Sequence, residues 1–242
     1  MNNYEKFIEF EEKFKCYEIN YWQSIRSYIY ECMCGINRTS SSPSKIYLTI
    51  QLVNSLISKK VIFPSDRPIY FGEPRMINST YYDEGAESMQ YLEDFIYFNQ
   101  SKTNIKIKQE YCSPSTLISI VSKSISYFYS PLNKKIFDIF SEIKISKRKV
   151  NEIIIYNKLF YQYFVFLFLR LKPKYIFYTR SDNFYALLKA CKRFKIKSIE
   201  FQHGDIVKEE VSINHEKKNQ KFIYAPDILL AYSKVWTSGL NI

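Results

Sequence analysis

The sequence predicts an α/β fold, a parallel sheet flanked by helices, on three observations. First, after Pro173 the apolar run Tyr175-Ile176-Phe177-Tyr178 reads as a buried strand, residues 182–194 as a helix and residues 197–201 as the next strand. Connections this short favour parallel pairing with a right-handed crossover. Second, Pro68-Ile69-Tyr70-Phe71-Gly72 is another apolar run of strand length, closed by a glycine. Third, apolar residues elsewhere recur at steps of three and four, the helical period.

In chain order, residues 1–60 are expected to form a helical segment packing on the main domain. Its helices cover residues 4–15, 17–33 and 44–58, broken by Gly35 and by the Ser/Thr-rich residues 39–44. Ile19, Trp22, Ile25, Ile29 and Met33 fall on one stripe of the second helix, which is ordinarily core. Residues 61–242 form the main α/β domain. Beyond the strand at 68–72, a polar stretch at 78–88 leads to strands at residues 95–98 and 105–107, and residues 115–129, 132–143 and 150–171 read as helices. A last strand lies at 227–231. The strands at Ile69, 175–178, 199–201 and 228–231 should share one largely parallel sheet with helices on both faces. Residues 159–169, the most apolar stretch, are bounded by Lys158 and Arg170 and fall short of the ~20 residues that cross a bilayer. They should be a mostly buried helix.

A chain of 242 residues that is 46% hydrophobic can bury a substantial core, and disorder is excluded. The abundance of Tyr, Phe, Lys, Asn and Ile reads as coding bias in an A+T-rich genome. The net charge of +11 suits an anionic partner, but the cations are scattered. Lys144, Lys147, Arg148 and Lys149 form one group, Lys189, Lys192, Arg193, Lys195 and Lys197 a second, and Lys217, Lys218 and Lys221 a third. A solvated surface explains them more simply than a binding patch. Five cysteines with no CxxC pair, and only two histidines, give neither a disulfide framework nor a zinc site. The N-terminus carries Glu5, Glu9, Glu11 and Glu12 with no apolar run, so no signal peptide is expected.

The chemistry is concentrated in Phe201-Gln202-His203-Gly204-Asp205, which places a histidine and a glycine just past the strand at 197–201. Ligands of open α/β sheets bind at this carboxyl edge. Glycine lets backbone approach a ligand, and imidazole can take a proton from a hydroxyl nucleophile near neutral pH. A lone histidine is more often a hydrogen-bonded structural residue, and Asp205 is an alternative base or an orienting partner for the imidazole.

Ile196-Lys197-Ser198-Ile199-Glu200-Phe201-Gln202-His203-Gly204 resembles the I-x-x-I-E-L-Q-H-G segment of bacterial capsule and lipopolysaccharide glycosyltransferases of the GT-B fold, with Phe201 a conservative departure. The helix over 182–191 before it, and Tyr224-Ala225-Pro226-Asp227-Ile228-Leu229-Leu230 after it, resemble the flanking helix and the Y-x-P-D-x-x-L strand of that family. Two earlier segments resemble it more loosely. Trp22-Gln23-Ser24-Ile25-Arg26 is similar to a W-x-x-I/L-R element, and Arg75 with Tyr81-Tyr82-Asp83 to an R…Y-x-D loop.

The resemblance implies that residues 61–242 are a Rossmann-like acceptor-side domain. It implies transfer of a sugar from a nucleotide-sugar to a hydroxyl of a lipid-linked surface glycan, without a bound metal or a cofactor beyond the donor substrate. It also implies a cytoplasmic protein in peripheral contact with the anionic inner membrane. His203 or Asp205 would be the base, and Gln202, Gly204, Arg75, Asp83 and Arg26 would contact substrate. The plain alternatives are a solvated helix charge for Arg26 and an ion pair between Arg75 and Asp83. No donor-domain motif is visible, so either the sequence is a fragment or truncated product, or a separate donor-domain chain is a partner. The rival readings are a non-catalytic module that would contact RNA or anionic lipid through residues 189–197, or a truncated remnant, and a glycerophosphate transferase of teichoic-acid type. The module lacks any RRM, KH or helix-turn-helix signature, so no nucleic-acid partner is expected; the glycerophosphate transferase is similar only at His203-Gly204.

Overall fold

The computed structural model describes residues 2–16, 21–35, 67–72, 75–77, 80–82, 89, 96–99, 110–112, 114–131, 139–140, 143, 145–179, 184–201 and 224–231. Five helices, α1 (Asn3–Lys13), α2 (Trp22–Met33), α3 (Ser115–Ile125), α4 (Lys147–Leu171) and α5 (Tyr185–Phe194), accompany eight strands among these residues. The strands are β1 (Ile69–Phe71), β2 (Arg75–Ile77), β3 (Thr80–Tyr82), β4 (Ile96–Asn99), β5 (Glu110–Cys112), β6 (Tyr175–Thr179), β7 (Lys197–Phe201) and β8 (Ile228–Leu230).

Six strands form one sheet in the order β5-β4-β1-β6-β7-β8, every neighbouring pair parallel. The four strands expected in a common sheet are all in it. Local chemistry explains the elements. Asn2 caps α1 through a reciprocal box, its Oδ1 accepting from the Glu5 amide at 2.8 Å while the Glu5 carboxylate accepts from the Asn2 amide at 2.9 Å. Ser146 caps α4 by accepting from the Lys149 amide at 3.3 Å. That cap starts α4 three residues before the expected Val150. Lys172 ends α4 and Lys195 ends α5 in left-handed conformations, which stop a helix without a glycine.

Helix α4 joins two hydrophobic clusters. Its later half sends Phe160, Phe164, Leu167, Phe168 and Leu171 against Ile69, Phe71, Ile176 and Tyr178 of the sheet and Ala186, Leu187 and Ala190 of α5. Phe160, Phe164 and Phe168 step at i, i+4, and Phe164 meets Phe71 edge-on with centroids 5.3 Å apart. Each such ring stabilises the fold by ~1.5–3 kcal/mol through burial. Its earlier half contributes Val150 and Ile154 to a cluster with Tyr4, Phe7, Trp22, Ile25 and Ile29 of α1 and α2.

Several expectations change. Residues 159–169 are buried on one face only, since Phe166 and Leu169 are exposed. The whole of α4 is long and apolar enough to cross a bilayer by length and composition, but its apolar stripe is already covered by the sheet and by α1 and α2. The polar stretch at 78–88 contains β3, a strand not expected there, which pairs antiparallel with β2; strands of three residues are too short to show alternation. The second helix begins at Trp22 rather than residue 17, because Tyr21 is left-handed with φ 74°. Helix α3 ends at Ile125, and residues 126–128 continue as turn. The expected helix at 44–58, the strand at 105–107 and most of the helix at 132–143 lie outside the described residues; among the described residues, α4 and α5 pack on one face of the sheet.

Burial, reinforced by the charge of Asp227, pushes the Cys191 thiol up from its ordinary value of 9.0; burial and the charge of Glu11 do the same at Cys16. The folded chain therefore holds protons that the unfolded chain releases. The stability this carries is complete below about pH 9 and is lost as pH rises from there. Urea unfolding followed from neutral to alkaline pH should show the fall, and Cys191→Ala should reduce its slope. An unchanged slope in that variant overturns the assignment.

Candidate functional site

In an all-parallel sheet every strand ends at the same edge. Counted in chain order within the sheet, the strands lie 3-2-1-4-5-6, so the direction of winding reverses between β1 and β6. Outside the carboxyl ends of those two strands lies the crevice where open α/β sheets bind ligands. Chain leaves this edge at Phe71-Gly72 after β1, at Thr179 after β6 and at Phe201 after β7.

Side chains brace the edge on both faces. On one face the Tyr70 and Thr179 hydroxyls hydrogen bond between β1 and β6. The Phe201 ring meets Tyr70 edge-on at 6.1 Å and stacks on Phe177 at 5.9 Å. On the other face, register sets Glu200 beside Tyr178, whose hydroxyl donates to Glu200 Oε2 at 2.9 Å. The Tyr178 ring in turn packs on Phe184, immediately before α5. Glu200 is a buried carboxylate one residue from the end of β7. Its charge inside an otherwise buried strand was the signal available in the sequence; Tyr178 as its partner required the register.

Gln202, His203, Gly204 and Asp205 follow β7 directly, and these four residues and Asp83 lie outside the described residues. For Arg75 the backbone is described, in β2 opposite Tyr82. The structure brings none of the expected side chains together among the described residues. Arg26 is placed fully, in the α1–α2 interface and only 1% exposed. Its Nε and Nη2 donate to the two oxygens of Glu11 at 2.5 and 2.6 Å, Trp22 Nε1 donates to Glu11 Oε1 at 2.6 Å, and the guanidinium lies over Phe7. The reading of Arg26 as a solvated helix charge is therefore corrected. Trp22 and Arg26 are four residues apart, one helical turn, so both reach the same carboxylate.

The residues around Tyr224 and Asp227 also have structural work. Asp227 Oδ2 accepts from the Ser198 amide at 2.8 Å and from its hydroxyl at 2.9 Å, clamping the start of β8 to β7. Gln23 Nε2 donates to the Tyr224 carbonyl at 2.6 Å, and the Tyr224 amide donates back to Gln23 Oε1 at 3.3 Å. Helix α2 is thereby tied to the segment leading into β8.

Fold and edge together define an α/β protein with a parallel sheet, flanking helices and a braced carboxyl edge. Comparison of the chain with protein-family models, curated proteins and solved structures finds no match in any of the three.

Proposed function

We propose that the chain is the acceptor-side half of a glycosyltransferase that moves a sugar from a nucleotide-sugar to a hydroxyl of a surface polysaccharide. The observation that carries the reading is topological: the Gln202-His203-Gly204 segment leaves the carboxyl end of β7, next to β6 at the reversal of winding. A base in that position serves a hydroxyl acceptor entering the crevice, and glycine at 204 admits the acceptor close to backbone. The resemblance of residues 196–204 to capsule and lipopolysaccharide enzymes of GT-B fold, whose N-terminal domain is Rossmann-like, supports the same reading. The doubly wound strand order is compatible with such a domain. The nucleotide-sugar enters as substrate, with a donor domain supplying most of its contacts.

The test is genetic and chemical. Deleting the gene should remove one linkage from the surface polysaccharide, read by linkage analysis, with an unextended lipid-linked glycan accumulating. Wild-type chain should restore the linkage and His203→Ala should not. A polysaccharide unchanged by deletion overturns the proposal.

A further inference from the structure

Immediately after α3 the chain presents Tyr127, Phe128 and Tyr129 to solvent, 64%, 93% and 54% exposed. The display is fixed. The Phe128 and Tyr129 amides donate to the Ile125 carbonyl at 3.0 and 2.9 Å, and the Ser130 hydroxyl donates to Asn151 Oδ1 of α4 at 3.1 Å. An almost bare phenylalanine held on an ordered turn is not hydrophobic core, and its neighbours say what could cover it.

Those neighbours are cationic. The Arg148 guanidinium lies over the Tyr127 ring at 3.5 Å, and the Lys158 ammonium is 5.9 Å from the Tyr129 centroid. Lys123 is exposed on the last turn of α3. Lys147, Arg148 and Lys149 open α4, whose first turn holds no acid. Cations there oppose the helix dipole, so the arrangement is unfavourable for the isolated fold and adds to the positive field outside it. Of this group, Lys149 pairs with Glu152 at 3.1 Å. The pattern is an apolar tip, a collar of tyrosines and a ring of positive charge, which matches the depth profile of an anionic lipid interface.

We propose that the Tyr127-Phe128-Tyr129 turn docks the protein on an anionic phospholipid surface, with Phe128 inserted among the acyl chains and Arg148 and Lys158 at the headgroups. A single-stranded nucleic acid is the other polyanion that aromatic and basic residues bind, but it needs ring faces open for base stacking. Here Arg148 covers Tyr127 and Lys158 approaches Tyr129, which leaves Phe128 as a single open ring where successive stacked bases need several. The inference is independent of the sugar-transfer reading, since binding alone tests it.

The experiment is co-sedimentation of the full chain with vesicles of phosphatidylcholine alone and of phosphatidylcholine mixed with about one-third phosphatidylglycerol. Binding is expected to the mixed vesicles, and to weaken as salt rises. Phe128→Ser should lower that affinity on the order of tenfold or more, with an unchanged melting curve because the side chain is exposed. Arg148→Glu combined with Lys158→Glu should abolish preference for the mixed vesicles. Phe128→Trp should retain binding and show a blue-shifted emission on mixed vesicles relative to the wild-type chain. Absence of binding, equal binding to both vesicles, full binding by Phe128→Ser, or no added emission shift overturns the proposal. So does displacement of the vesicles by a homopolymeric RNA whose own binding is lost in the same variants.

Discussion

His203→Ala is expected to lower sugar transfer by ~10²–10⁴-fold, the range that general-base assistance contributes, while leaving thermal unfolding and donor affinity nearly unchanged. The expectation follows from position. The residue comes two places along the chain after the end of β7, and β7 neighbours β6 at the reversal of winding. The substitution removes a proton acceptor, and the hydrogen bonds beneath the edge, Tyr70 with Thr179 and Tyr178 with Glu200, are made by other residues. An ordinary substitution costs about 1 kcal/mol of stability, so a loss of that size in rate cannot be mistaken for misfolding. The measurement is single-turnover transfer at saturating donor, in a protein completed with its donor domain, beside a melting curve for each variant. Near-normal turnover in His203→Ala with inactivity in Asp205→Asn moves the base to Asp205. Full activity in both makes the loop scaffold.

The second large effect concerns stability. Glu11→Ala should lower the unfolding free energy by ~3–5 kcal/mol, because it leaves the Arg26 guanidinium buried without its carboxylate and takes the acceptor from Trp22 Nε1. The energy comes from taking the compensating carboxylate away from a buried guanidinium rather than from the worth of the pair. Replacing both partners by apolar residues, as in Glu11→Leu with Arg26→Met, should therefore recover most of the loss. Urea unfolding of the three variants decides it. A loss of under about 1 kcal/mol in Glu11→Ala would mean that water or another group reaches Arg26 and that the interface is looser than its geometry.

Two motif segments outside β7, one in α2 and one leading into β8, have partners that only the fold supplies. Trp22 and Arg26 were singled out by the resemblance as a possible substrate element, and their spacing did place them on one helical face. Their partner Glu11 was visible only as one of several acids near the N-terminus, since nothing local connects residues 11 and 26. Asp227 is similar: its place after Pro226 read as the start of a strand, and the clamp onto Ser198 emerged only when β8 lay beside β7.

By itself the sequence determined the parallel α/β character, because runs such as Tyr175-Ile176-Phe177-Tyr178, joined through a short helix to residues 197–201, leave few other ways to bury both sides of a strand. It also determined where the chemistry-bearing segment sits relative to a strand end, since that is a matter of adjacency along the chain. Only the tertiary structure decided the strand order, the pairing of Glu200 with Tyr178, the left-handed Tyr21 that delays α2, and the exposure of Phe128. Periodicity records that a residue is buried and on which side of its own element. Which distant residue covers it is set by long-range packing, where burial, register and charge compensation must be satisfied together.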